Sequence, residues 1–154
     1  MKLANSPENN CDVIGEIWDA HVYDKLLPLK SGMTVVDIGA SIGVFSIYAS
    51  QKVGKYGKVI AFEPETASYN ALLDNITANE ATNIIPVKMG VWGSRGTQKI
   101  TASTSNLGAS SMFSGGDGEP VQVDRLDHIL PQMGVTHVDF IKMDTEGAAT
   151  EILK

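Results

Sequence analysis

A buried strand that runs into a glycine turn and then opens a helix, at residues 35–45, constrains the fold more than any other part of the chain. The segment reads VVDIGASIGVF and carries an acid, Asp37, near the end of the strand. A second apolar run at residues 59–62 also ends on an acid, Glu63, which lies 20 residues after Gly43. Strand, glycine turn, helix, strand and acid in this order are typical of one half of a doubly wound α/β sheet. We therefore predict a mostly parallel, Rossmann-like sheet with helices packed against it.

The spacing of the glycines indicates which ligand the turn would suit. Gly39 and Gly43 lie in a D-x-G-x-x-x-G pattern, which is neither the G-x-G-x-x-G of a dinucleotide site nor a phosphate-binding loop with its lysine. An acid before the turn favours a cation over a diphosphate, because like charges repel. S-adenosylmethionine has no phosphate, and it offers an ammonium to residues 37–39, a carboxylate to the helix N–H groups and a ribose diol to Glu63. An ordinary turn that binds nothing would explain the two glycines, but not the acid at residue 63.

Composition narrows the class of protein. The 154 residues suffice for one domain with a core, and the formal net charge of -6 argues against a nucleic-acid partner. Cys11 is the only cysteine, which excludes a disulfide framework, and no apolar run reaches membrane-spanning length. We expect a cytoplasmic protein with no membrane partner, a flexible N-terminus at residues 1–12 and one cofactor-binding domain at residues 13–154.

Apolar periodicity and turn residues predict the remaining elements. Two segments have helical spacing, residues 13–22 and 69–76, and the Ser- and Gly-rich residues 103–118 are either a connector or a lid. We also predict strands at residues 83–92, 99–102 and 121–123, the last followed by a short helix that Asp124 caps.

A second cluster of charges follows the apolar run at residues 138–141. Lys142 and Asp144 are two residues apart, so in a strand they share one face at a separation of about 7 Å. A lysine inside an apolar run needs a partner, and Asp144 or Glu146 would supply it. The pair is either a structural ion pair or part of a site, because ligands of such sheets bind beyond the carboxyl ends of the strands.

Four segments together resemble the FkbM-type S-adenosylmethionine-dependent methyltransferases: residues 35–43, 61–64, 75–76 and 140–148. The resemblance runs from about Gly32 to the C-terminus, and the K-x-D-x-E-G-A run is its most specific part. It implies a class I methyltransferase fold and methyl transfer to a hydroxyl oxygen of a small-molecule acceptor, a sugar or a secondary metabolite. The expected cofactor-binding residues are Asp37, Gly39, Ala40, Ser41, Gly43, Glu63, Pro64 and Asp144.

The chain departs from the family pattern at three places. Ser41 stands where the family commonly has asparagine, and Ala149 stands where a glutamate usually follows the last motif. The family fold normally continues with a further helix and several strands beyond the position of Lys154. We therefore expect either a C-terminally incomplete domain or a partner chain that replaces the missing sheet edge, and an open apolar edge favours a homo-oligomer.

Methyl transfer to an alcohol needs a group that accepts the hydroxyl proton. The expected catalytic residues are Asp144 or Glu146 as that base and Lys142 as the group that orients them or stabilises the developing negative charge. His128 and His137 are rival bases, and no residue pattern supports a metal. Two alternatives stay open: a truncated, non-catalytic cofactor-binding or oligomerising domain, and a nicotinamide-linked oxidoreductase, which the glycine spacing disfavours.

Overall fold

The computed structural model describes residues 2, 28–100, 118–144 and 152 of the chain. The predicted helix at residues 13–22, the segment 103–117 and Glu146 lie outside the described residues. In chain order the elements are β1 (Thr34–Ile38), α1 (Val44–Val53), a 3₁₀ turn (Gly54–Tyr56), β2 (Lys58–Phe62), α2 (Thr66–Ala78), β3 (Ile84–Val87), β4 (Gly90–Val91), β5 (Gly96–Ile100), β6 (Glu119–Asp124), α3 (Leu126–Gln132) and β7 (Phe140–Met143).

Four parallel strands form the main sheet in the order β3-β2-β1-β7. Its middle strands are continuous apolar runs because both of their faces are buried. In the register of the sheet, Asp37 of β1 lies beside Ala61 of β2 on one side and Lys142 of β7 on the other. The predicted α/β fold with a mostly parallel sheet is confirmed.

Helices cover both faces of this sheet. Val35 and Val59 face α1 and α2, where Ile47 and Leu72 complete a core with no exposed surface. On the opposite face, apolar residues of β1 and β2 pack against Ile129 of α3. Helix α1 is buried along almost its whole length, so it anchors the end of the turn that precedes it.

A second, smaller sheet has the order β4-β6-β5, with β4 parallel and β5 antiparallel to β6. The predicted single strand at residues 83–92 is wrong, because β3 and β4 belong to different sheets. Gly90 pairs with Val123, and Trp92 N–H donates to Asp124 O at 2.9 Å, so the chain leaves the main sheet after β3. The extra strand also begins at Gly96, earlier than predicted.

Asp124 does not cap α3, contrary to the prediction. It is the last residue of β6, and Arg125 occupies the N-cap position without a side-chain hydrogen bond. The Asp124 carboxylate is buried and accepts the Arg125 N–H at 2.8 Å, while His128 Nδ1 lies 3.4 Å from it. Pairing of its backbone with Trp92 holds Asp124 in the strand.

β3 is an outer strand of the sheet that the described residues form, and its outward side has an unusual backbone. Parallel pairing alternates, so the backbone groups of Ile84 and Pro86 point away from β2. The Ile84 N–H donates to Ala81 O at 3.2 Å, and proline has no N–H. Neither residue therefore presents a backbone donor at this edge.

Among the described residues, no helix combines the length and the apolar character needed to cross a bilayer.

Candidate functional site

The carboxyl ends of β1, β2 and β7 meet around the segment of residues 39–43, which we call the glycine turn. Gly39 and Gly43 have φ angles of 77° and 88°, a left-handed conformation that glycine adopts without strain, and Ser41 has a φ of 51°. The Gly39 and Ala40 N–H groups both donate to Phe62 O, at 3.0 and 2.9 Å. The glycine turn is thus tied to the end of β2, where the second acid follows.

Gly43 ends the turn and is the N-cap of α1. A Cβ atom at this position would lie 2.4 Å from Leu72 Cδ1 of α2. Both this close contact and the positive φ angle therefore disfavour any residue with a side chain. No side chain caps α1. The N–H groups of its first turn, which have no partner within a helix, therefore face the end of the glycine turn. A helix start of this kind attracts carboxylates.

Glu63 lies directly beyond β2 and is 7% exposed. Its Oε2 accepts the Ser41 N–H at 2.7 Å, and its Oε1 accepts the Glu65 N–H at 2.9 Å. Burial raises the pKa of Glu63 to about 7, the two N–H donors oppose this rise, and the nearby Glu65 and Asp37 carboxylates add to it. Pro64 and Glu65 then lead into α2. The first turn and the second acid of the sequence pattern thus form one connected site.

Asp37 has no exposed surface, so its carboxylate faces neighbouring side chains. Ser46 Oγ of α1 donates to Asp37 Oδ2 at 2.6 Å. Lys142 Nζ lies 3.2 Å from Asp37 Oδ1, an ion pair whose geometry does not meet that of a hydrogen bond. The same Nζ donates to Gly39 O at 3.1 Å. The described carboxylate nearest to Lys142 is therefore that of Asp37, which the sequence analysis did not pair with it.

Asp144 follows β7 at the same edge of the sheet. Its N–H donates to Ile38 O at 3.1 Å, and its carboxylate lies 3.7 Å from Lys142 Nζ. The Asp144 side chain is 67% exposed, in contrast to Asp37 and Glu63. It is thus the accessible carboxylate among the three described acids of the site.

The two histidines considered as bases lie elsewhere. His128 is in α3, beside Asp124. His137 precedes β7 and lies 3.0 Å from Asp139, at the end of the strand opposite to Asp144. The part of the chain that the structure describes contains no group of three His, Cys, Asp or Glu residues that could hold a metal ion.

Sequence reasoning did not find Asn75 as a part of the site. Asn75 of α2 is 3% exposed, and its Nδ2 donates to Ile42 O at 2.8 Å, within the glycine turn. The signal was present, because Asn75 lies on the same stripe of the helix as Leu72 and Ile76. A polar amide on a buried stripe requires a hydrogen-bond partner.

Residues 37–154 match the family model described as "Methyltransferase FkbM domain", which covers more than half of the chain. The chain belongs to the FkbM methyltransferase family. The resemblance predicted from its sequence is confirmed.

Two curated relatives and one solved structure extend this similarity. The chain is 30% identical over 172 residues to "Methyltransferase sdnD" of Sordaria araneosa, and the match covers 90% of this chain and 66% of that protein. It is 23% identical over 161 residues to "Methyltransferase 1" of Beauveria bassiana, covering 90% and 64%. The FkbM methyltransferase structure from Methylobacillus flagellatus has the same fold, with a TM-score of 0.60 and 24% identity over 87% of this chain and 31% of that one. The chain therefore spans just under two thirds of the length of these curated relatives.

Proposed function

We propose that this chain binds S-adenosylmethionine and is part of an enzyme that methylates a hydroxyl group of a sugar or another small molecule. The observation that carries the proposal is the contact of the Glu63 carboxylate with the Ser41 N–H. This contact places the acid after β2 next to the glycine turn after β1. A ligand with a ribose at one end and an amino acid at the other could then contact Glu63 with the ribose and the glycine turn with the amino acid. Family membership supports the same chemistry.

The donors and acceptors of this site fit that cofactor. Each carboxylate oxygen of Glu63 accepts one N–H and has a further lone pair, so a ribose diol can still donate to it. The glycine turn and Pro64 adjoin Glu63 in the chain or through its bond to the Ser41 N–H, and the start of α1 suits the carboxylate of the cofactor. A diphosphate next to Glu63 would be repelled by the charged form of this carboxyl group. When bound, the cofactor supplies an activated methyl group on a sulfonium.

The exposed Asp144 carboxylate is suited to accept the proton of a hydroxyl group. It is fixed at the carboxyl edge of the sheet by its N–H bond to Ile38 O, and Lys142 orients it from 3.7 Å. General bases of this kind contribute about 10² to 10⁴ in rate, and alignment of the acceptor contributes further. Glu146 is the second candidate for the same role.

Calorimetric titration with S-adenosylhomocysteine and then NADH tests the cofactor. We expect the first to bind and the second not to bind. Glu63→Gln should weaken binding of the first about tenfold to a hundredfold, because hydrogen bonds to a charged acceptor contribute about 1.5–3 kcal/mol. Glu80→Gln, at an exposed position beyond α2, is the matched control and should bind as the wild type does. Equal affinity of Glu63→Gln and the wild type would remove Glu63 from the site.

Turnover is tested separately from cofactor binding. The chain spans 66% of the length of the sdnD relative, so it could bind the cofactor without performing the whole reaction. Release of S-adenosylhomocysteine is measured with a panel of sugars and hydroxylated secondary metabolites, for the wild type, Asp144→Asn and Glu146→Gln. We expect one of the two variants to lose turnover, and Glu146→Gln should keep a cofactor affinity near that of the wild type. Binding without turnover for every acceptor would favour the alternative of a non-catalytic cofactor-binding domain.

We also propose that the outer edge of β7 is where a homo-oligomer forms. No other described strand pairs there, and Ile141 of β7 is 47% exposed. Unpaired strand edges with apolar side chains favour association. Sedimentation velocity over a range of concentrations checks this, and a monomer at all concentrations contradicts it.

A further inference from the structure

Three side chains from three different elements hold the backbone of the glycine turn. Glu63 accepts one of its N–H groups, as described above. Asn75 Nδ2 donates to the carbonyl of Ile42, and Lys142 Nζ donates to the carbonyl of Gly39. The turn is therefore fixed from the ends of β2 and β7 and from the middle of α2.

We propose that Lys142 is a positioning residue, which fixes the Gly39 carbonyl and thereby holds the glycine turn in the conformation that binds the cofactor. This inference rests on the proposed function, since it concerns the same site. It assigns to Lys142 no action on the reacting atoms and accounts for a buried lysine in a strand whose other residues are at least partly exposed.

The surroundings of Lys142 support this role. Its side chain is 9% exposed, and Nζ lies between the Asp37 carboxylate and the Gly39 carbonyl, at 3.2 and 3.1 Å. The ring of Phe45, the second residue of α1, lies 5.8 Å from the same Nζ. An ammonium with several fixed partners in a region of low dielectric has little freedom to move. Lys142 thus joins β7 to both ends of the segment that connects β1 with α1.

Charge compensation alone is the competing explanation. Asp37 has no exposed surface, and a buried carboxylate without a partner is strongly destabilising, so Lys142 could serve only to neutralise it. The two roles separate in a double variant. Lys142→Met removes both the charge and the donor to Gly39 O. Asp37→Asn combined with Lys142→Met removes both charges but still leaves that carbonyl without its donor.

The first experiment compares unfolding by urea and affinity for S-adenosylhomocysteine in the wild type, Lys142→Met, the double variant and Val121→Ala. Val121 is buried in the second sheet, so its variant reports a loss of stability away from the site. We expect Lys142→Met to lose both stability and about tenfold to a hundredfold in affinity. The double variant should regain stability but keep the weaker affinity, and Val121→Ala should lose stability alone. Wild-type affinity in the double variant overturns the proposal.

The second experiment needs no ligand. Amide hydrogen exchange of the peptide that contains residues 39–44 is measured by mass spectrometry in the same four proteins. We expect faster exchange of this peptide in both Lys142 variants than in Val121→Ala, and unchanged exchange overturns the proposal. If the wild type binds no S-adenosylhomocysteine, the proposed function fails while this exchange still decides the role of Lys142. If Lys142→Met does not fold, the double variant carries both tests.

Discussion

The protonation of Glu63 should make the free energy of unfolding depend on pH. The variant Glu63→Gln, which cannot titrate at this position, should lack this contribution. Burial raises the pKa of this carboxyl group from 4.5 to about 7 in the folded chain, and unfolding returns it to its ordinary value. Between these two pH values the folded state holds a proton that the unfolded state has released. The group therefore contributes stability that is fully present below pH 4.5 and is lost as the pH rises through about 7.

The size of this change in the free energy of unfolding follows from the rise in the pKa of Glu63. Each pKa unit corresponds to about 1.4 kcal/mol, and the 7% exposure of Glu63 leaves little solvent screening. Between pH 5 and pH 8, the contribution of Glu63 to the free energy of unfolding should fall by about 2.5 kcal/mol. Other carboxyl groups titrate as well, so the quantity to compare is the difference between the wild type and the variant.

Unfolding by urea at four pH values between 5 and 8 gives this difference. The wild type should lose about 2.5 kcal/mol relative to Glu63→Gln across the range. Glu80→Gln, in which the lost carboxyl group is exposed, should follow the wild type. Parallel curves for the wild type and Glu63→Gln would show that this carboxyl group does not titrate here, and the account of its burial would be wrong.

Three further predictions concern the same site. The affinity for S-adenosylhomocysteine should fall about tenfold from pH 8 to pH 6, because the ribose diol binds the charged form of Glu63, and calorimetry on Glu63→Gln should show no such fall. Gly43→Ala should lower the free energy of unfolding by about 1–3 kcal/mol because of the positive φ angle at this position, and urea unfolding equal to that of the wild type would contradict this. Asn75→Leu should cost about 1–3 kcal/mol in urea unfolding, since the buried carbonyl of Ile42 loses its donor, and a neutral substitution would contradict the buried bond.

The parts of the fold that could be predicted from the sequence are those in which local pattern and tertiary structure agree. β1 and β2 are short apolar runs that carry or precede an acid, which a buried parallel strand explains well, whereas β7 is a similar run that Lys142 interrupts and that is only partly buried. The break between β3 and β4 could not be predicted, because the apolar pattern continues across Lys88 and Met89. Its cause is a partner strand, β6, that lies about 30 residues further along the chain.

The candidate site shows the same limit. The positions of Gly39 and Glu63 follow from a local motif, whereas the ion pair of Asp37 with Lys142 joins residues more than 100 positions apart. Sequence reasoning assigned Lys142 a neighbouring acid, since only near partners are visible in a one-dimensional pattern. The acid in one apolar run and the lysine in another were nevertheless both visible in the sequence. Matching them across adjacent strands was the step that the sequence alone did not supply.

The proline in β3 has a consequence for how this protein behaves at high concentration. A strand edge pairs with another strand through its outward N–H and C=O groups, and Pro86 and Ile84 offer no N–H group there. Pairing of further copies through that side of the sheet is therefore hindered by the missing N–H groups and not by charged side chains. In the described main sheet, a further strand can therefore pair more readily at the outer edge of β7 than at the outer edge of β3.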